Sequence, residues 1–394
     1  MPFSEPRLGD RSLFPALEAR AYLAHAAVSP PSTAVLAAVS RCLDVYSRRG
    51  IRGAIEELSN KAEVRARAAH LLGCSARQVG FVQSTSSGAT TIAHSIRFRA
   101  GERVLVFDGE FPANVTPFRL AAEERGLALS TLPLAPFERS DEEGLACVAR
   151  ELARGVRLVA VSAVQFQTGL RMPIAALARL CHAHGAELFV DAIQALGVVP
   201  LNVLETDVDY LVCGGHKFLM GLEGAGIVYI KDSALAQLSL GMAGWTGHED
   251  AFRFLNEGPG ALRYDTPIVR AASFVEQGAQ SVVGLAALGA SLGTILSLGT
   301  QAIFAHVTDY LDRLEPALVS LGCQSVRAPD VARQSGSLSV RLPAGKQLAE
   351  VANKLLAQGV CASTPDGLLR FAPHFENSAD EIPVVVSALR NALA

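Results

Sequence analysis

Residues 209–230 read Asp209-Tyr-Leu-Val-Cys-Gly-Gly-His-Lys-Phe-Leu-Met-Gly-Leu-Glu-Gly-Ala-Gly-Ile-Val-Tyr-Ile230. A short apolar run leads into a glycine-rich turn around one lysine, Lys217. More glycines and a second apolar run follow. Apolar runs of this length, bounded by turn residues, predict fully buried strands. A lysine between Gly-Gly-His and Phe-Leu-Met-Gly is poorly placed for a solvated face. Upstream, Asp191 directly follows Phe189-Val190, which reads as the end of another buried strand.

Outward from this stretch, strands and helices alternate. Strands are predicted at 79–82, 102–108, 127–131, 156–162 and 187–190. Helices are predicted at 114–125, stopped by Gly126, and at 142–152 and 174–184. Apolar strands separated by helices predict an α/β fold, with a mostly parallel sheet covered on both faces. Such sheets bind ligands beyond the carboxyl ends of their strands. Asp191, Ser162 and the turn at 83–88 all fall at such ends. After about residue 260 the pattern changes. Helices at 282–298 and 302–321 precede a strand, helix, strand, strand order and a closing helix at 379–392. This predicts a smaller α+β domain. The expected division is an N-terminal segment, 1–30, packing with the small domain, a large domain, 31–262, and the small domain, 263–394.

The chain has 394 residues, half of them apolar and 19% charged, with a formal net charge of -3. That composition suits a large globular core. It gives no general basic surface for nucleic acid. No apolar stretch approaches the roughly 20 residues that span a bilayer. Residues 1–10 lack an apolar signal core, so a cytoplasmic protein is expected. Seven scattered cysteines without a Cys-x-x-Cys predict free thiols and no metal site.

An acid at a strand end and a lysine in a nearby loop are what a pyridoxal 5'-phosphate site needs. The lysine amine forms a Schiff base with the cofactor aldehyde. The carboxylate pairs with the protonated pyridine nitrogen. Ser84, Thr85 and Ser86 open a helix whose N-terminus suits a phosphate. Gln194 lies one helical turn beyond Asp191, within reach of the ring oxygen. Taken singly, each has a plainer reading. The 84–86 turn is also an ordinary helix cap, Asp191 a cap of the next helix, and His216 a packing histidine. A free lysine near pKa 10.4 is protonated at neutral pH, so burial or the cofactor bond must lower it.

In this order, Ser84-Thr85-Ser86, Glu110-Phe-Pro-Ala-Asn114, Val190-Asp-Ala-Ile-Gln194 and Gly215-His-Lys217 resemble the class V aminotransferase family of fold-type I pyridoxal phosphate enzymes. Tyr22-Leu-Ala-His-Ala-Ala27 and Leu369-Arg-Phe-Ala-Pro-His374 extend the resemblance over nearly the whole chain. It implies a seven-stranded-type sheet and a homodimer with the site completed across the interface. Lys217 is implied as the cofactor lysine and proton shuttle, Asp191 as the ring-nitrogen partner, and Gln194 as the ring-oxygen partner. Thr85 and its neighbours, with His216, are implied for the phosphate, Phe111 is implied on the ring, and Gln165 or Gln167 is the candidate for the role of the asparagine that Phe166 replaces. Arg370 is implied for the substrate carboxylate, with His25 as a candidate wall.

Departures from the family pattern narrow the chemistry. Phe111 stands where desulfurases carry a histidine and cannot transfer protons. The loop Ser363-Thr-Pro-Asp-Gly367 has no cysteine, against desulfurase chemistry. Gly214 replaces a phosphate-binding serine, and Ala279 a threonine, with Gln280 or Ser281 as candidate substitutes. The resemblance implies an aminotransferase acting on an amino acid or amine-bearing metabolite. An epimerase or β-lyase, resembling isopenicillin-N-epimerase-like members, is the alternative, with cysteine desulfurase behind it. A non-catalytic small-molecule binder on the same fold is the reading of a different class.

Overall fold

The computed structural model describes residues 5–394, apart from the side chains at 58, 59 and 256. The first four residues of the 1–30 segment therefore lie outside the described residues. A seven-stranded sheet runs in the order Val79–Val82, Gly226–Ile230, Tyr210–Gly214, Glu187–Asp191, Leu158–Ser162, Arg103–Phe107, Ala128–Leu132. All pairings are parallel except the two made by Gly226–Ile230. The fold is α/β, as the alternation of apolar runs and helices predicts.

The strands are apolar throughout because both faces are covered. Alternate residues serve two cores. Leu105, Val159, Leu188, Val190 and Leu211 belong to one, while Val104, Leu158, Phe189, Tyr210 and Val212 belong to the other. Burying each such aliphatic or aromatic side chain contributes about 1.5–3 kcal/mol. The helix Thr116–Arg125 ends at Gly126, whose left-handed φ of 66° only glycine adopts cheaply. A parallel pairing joins Ala21–Tyr22 to Val360–Cys361, and an antiparallel sheet holds Leu369–Phe371, Leu338–Arg341 and Gln324–Ser325. All seven cysteines are unpaired. Among the described residues no single helix is long and apolar enough to cross a membrane.

Two elements differ from the sequence reading. Long helices at Thr33–Arg49 and Ile51–Leu72 were not predicted. An inward stripe, Val64, Ala68 and Leu72, covers only the end of the second helix, while Leu43 and Ile51 are exposed. The helix Val282–Leu298, placed by sequence with the C-terminal domain, packs against both of them. Gly289 makes the approach possible. A Cβ there would come within 2.7 Å of Val64 Cγ2.

Candidate active site

Register brings the candidate residues to one sheet edge. Ser162 pairs with Asp191 and Asp191 with Val212, one residue before Cys213-Gly214 and the lysine turn. Asp191 is buried, and its Oδ1 accepts the Ile193 N–H at 2.9 Å. No helix follows at once, so the carboxylate closes a tight turn rather than capping a helix. Burial raises its carboxyl to about 7. The Ile193 N–H opposes this, Glu110 adds to it and Lys217 opposes it. Burial lowers the Lys217 ammonium to about 8, with Asp191 pulling up and Arg370 pushing down. Lys217 Nζ stands 5.5 Å from the centroid of the Phe111 ring, which meets Phe166 edge-on at 5.3 Å.

The helix Thr85–Ser95 begins at this edge. The Ser84 hydroxyl accepts the Ser87 N–H at 3.1 Å, so its side chain is committed to the cap rather than free for a ligand. The N–H groups of Thr85 and Ser86 have no intrahelical acceptor. Thr85 Oγ1 accepts the Gly214 N–H at 2.9 Å and keeps its own proton to donate. A Cβ at Gly214 would lie 3.1 Å from that oxygen. A side chain at 214 would need that hydroxyl to give by a few tenths of an ångström. His216 is half-buried, and burial lowers its pKa, with Lys217 adding to the effect. Gln280 Nε2 donates to Phe81 O and Ser281 caps the helix Val282–Leu298. Of these candidate substitutes for the hydroxyl absent at Ala279, Gln280 Nε2 is thus engaged within its own chain, whereas Ser281 Oγ accepts the Gly284 N–H and keeps its own proton to donate.

Gln194 Nε2 donates to Ala26 O at 3.0 Å, while its Oε1 is buried without a partner. Gln165 is held by Glu110, its Nε2 donating to Oε1 at 3.0 Å. Glu110 is the residue sequence reasoning quoted but did not place in the site. Its buried carboxylate accepts from Ser162 N at 2.7 Å, from the Ser162 hydroxyl, and from Asn114 Nδ2 at 3.0 Å. The only signal for it was the spacing of Glu110 and Asn114, which stand four positions apart.

Arg370 is 4% exposed, and burial lowers its guanidinium to about 10. Its Nε donates to Ser363 Oγ at 3.0 Å and Nη1 to Phe166 O. Neither bond engages Nη2. His25 is fully buried, with Nδ1 on Ser29 Oγ at 2.7 Å and Nε2 2.6 Å from Glu376. Its full burial leaves no ring atom open to a ligand, against the expectation that it contacts substrate.

The donor set fits pyridoxal 5'-phosphate. Free helix N–H groups and the Thr85 hydroxyl suit its phosphate, a buried carboxylate its pyridine nitrogen, and the unpartnered Oε1 of Gln194 its ring hydroxyl. Lys217, with its amine lowered toward neutrality, suits its aldehyde. The chain belongs to the aminotransferase class-V family, whose model matches residues 21–373; the cofactor is pyridoxal 5'-phosphate. It is 32% identical over 282 residues to a cysteine desulfurase of Dickeya dadantii (strain 3937), a match covering 69% of this chain. The chain spans 65% of the length of that relative. It is 26% identical over 379 residues to the uncharacterized aminotransferase YcbU of Bacillus subtilis (strain 168), covering 94% of each. Among solved structures, a variant of C-DES with glycine covalently linked to the PLP cofactor superposes with a TM-score of 0.88 at 21% identity, covering 97% of this chain and 99% of that one. The cysteine desulfurase CsdA from Escherichia coli does so with 0.83 at 22% identity, covering 97% of each.

An amine attacks an aldehyde only when unprotonated. With the Lys217 amine near 8, the free fraction grows as pH rises through that value. Cofactor uptake by the apoprotein, followed by absorbance, is expected to accelerate from about one unit below 8 to about one unit above, then level off. A rate that keeps climbing beyond about pH 9 instead of levelling would contradict the lowered amine.

Proposed function

We propose that the protein is an aminotransferase acting on an α-amino acid. When bound, pyridoxal 5'-phosphate supplies an aldehyde that takes up an amine and a protonated ring that draws electrons from the neighbouring carbon. In this reading Lys217 would hold the cofactor, take the substrate's α-proton and deliver it to the carbon of the cofactor's former aldehyde. Asp191 keeps the ring nitrogen protonated. Gln194 faces the ring oxygen, and Phe111 covers the ring. Thr85, the Ser86 N–H and His216 hold the phosphate, and Arg370 orients the carboxylate through Nη2.

The carrying observation is that Lys217 stands against Phe111, which holds no proton. A single base suits a proton that leaves one carbon and is delivered to the other on the same face. Epimerisation by two bases would need a second acid where the phenyl ring lies. β-Elimination is the second reading. It too needs one base, and the loop 363–367 has no cysteine to retain a departing sulfur. The test is incubation with amino acids in deuterated water. Keto acid together with the aminated cofactor supports transamination. α-Deuterium without keto acid, or a released β-fragment, would replace it with epimerisation or elimination.

Arg370→Ala is expected to weaken a carboxylate substrate by about 1.5–3 kcal/mol, seen as a higher KM. An amine without a carboxylate should be unaffected. An unchanged KM for the amino acid would remove Arg370 from the substrate site.

A homodimer belongs to the same reading. Leu36, Leu43, Ile51, Ile55 and Trp245 are exposed apolar side chains. A cavity of about 890 Å³ opens beside Ile55, Trp245, Gly278 and Ala279. A second copy would cover them. Sedimentation at micromolar concentration checks this, and a monomer would refute it.

A further inference from the structure

Resting on the reading of Lys217 as the cofactor lysine, we propose that Ser29, His25 and Glu376 form a buried strut that positions the Lys217 backbone and ties it to the strand carrying Arg370. Ser29 holds two successive carbonyls of the lysine turn. Its N–H donates to His216 O at 2.8 Å and its hydroxyl to Lys217 O at 2.6 Å. A hydroxyl has one proton, and here the carbonyl takes it. Ser29 Oγ therefore accepts from His25, and Nδ1 carries the hydrogen. On the far side, Nε2 lies 2.6 Å from a Glu376 oxygen. Two acceptors at that separation would repel, so one proton must lie between them. Burial works to raise the Glu376 carboxyl, and His25 overrides it to leave a lowered pKa.

All three residues are at most 3% exposed. The serine is unreachable and its proton is spent on a carbonyl, so this is not a hydrolytic triad. The other end of the strut follows the strand Leu369–Phe371, which carries Arg370. Residues just beyond that strand grip the same turn a second time, His374 Nε2 lying 3.0 Å from Phe218 O. The N-terminal segment is clamped between them. His25 N donates to Ala372 O at 3.2 Å, and Asn377 Nδ2 to Tyr22 O at 3.1 Å. Carboxylate binding at Arg370 and the height of the lysine are thus set by one connected piece. A misplacement of about 1 Å at such a site costs about a hundredfold in rate. The three residues touch no reacting atom; they are positioning residues.

Ser29→Ala is the direct test, because it removes only the hydroxyl and leaves the His25–Glu376 pair intact. Turnover is expected to fall about tenfold or more with the substrate KM nearly unchanged, within the hundredfold limit of misplacement. Cofactor uptake by the apoprotein should slow by a similar factor, and the absorption band of the bound cofactor should shift. The melting temperature should stay close to wild type, and Ser29→Thr, which keeps the hydroxyl, should recover most of the rate. Should Ser29→Ala fail to fold, Ser29→Cys, a weaker donor of similar volume, carries the same expectation. Wild-type turnover and spectrum in Ser29→Ala would overturn the strut, and so would a raised KM with turnover unchanged. If borohydride does not fix the cofactor on Lys217 in the wild-type protein, the reading beneath the strut fails instead.

Discussion

Lys217→Ala is expected to lower turnover by about 10⁴-fold or more, roughly 5.5 kcal/mol, while the chain stays folded. A positioned base alone contributes about 10²–10⁴-fold. Lys217 is asked for that and for the covalent hold on the cofactor. No neighbour replaces it: Phe111 has no titratable group, His216 is already weakened as a base by burial, and Cys213 is fully buried with its thiol pushed well up. Stability should be unchanged or slightly higher, because the substitution removes an amine whose charged form burial disfavours. Borohydride should fix cofactor on the wild-type chain at Lys217 and leave the variant unlabelled. Peptide mapping reads this directly. Turnover within about tenfold of wild type, or labelling at another lysine, would sink the assignment.

Asp191→Asn is expected to lower turnover by about 10–10³-fold. A carboxylate beside a cation typically shifts the balance by about 1–3 pKa units, or roughly 1.4–4 kcal/mol. Asparagine keeps the shape and can still accept the Ile193 N–H, yet it cannot hold the ring nitrogen protonated. The same substitution should act oppositely on the cofactor-free protein. There the folded-state carboxyl is raised to about 7, so the folded chain binds a proton that the unfolded chain has released. This group's contribution to stability therefore falls as pH rises from about 4 toward 7, and the cost persists above that range. Asp191→Asn should raise the melting temperature of the apoprotein above neutral pH, and cofactor should raise it less than in wild type. An apoprotein destabilised by the change at high pH would show that the carboxylate is well satisfied without the ring.

Much of the sheet was legible in the sequence. The runs at Tyr210–Gly214 and Gly226–Ile230 are apolar at every position because both faces are buried, and short windows carry that signal. The helix Val282–Leu298 was likewise read at its full length. The helices Thr33–Arg49 and Ile51–Leu72 were not, because periodicity marks a helix only where its apolar stripe meets the chain's own core. Ile51 and Ile55 are 79% and 59% exposed, and the core-facing stripe of their helix is confined to Val64, Ala68 and Leu72.

The site divides along the same line. Sequence alone determined which residue bears the amine, where the acid sits and why both fall at strand ends. Lys217 lies in a glycine-rich turn and Asp191 at the close of an apolar run, and each depends on neighbours a few residues away. Tertiary structure decided how the polar atoms are spent. It turned His25 from a substrate contact into the partner of Glu376, 351 positions along the chain. It gave Glu110 its donors, set the Thr85 hydroxyl beside Gly214 and left Arg370 with one free end. A buried polar group must find a partner wherever packing offers one, and no local pattern of residues records which partner that will be.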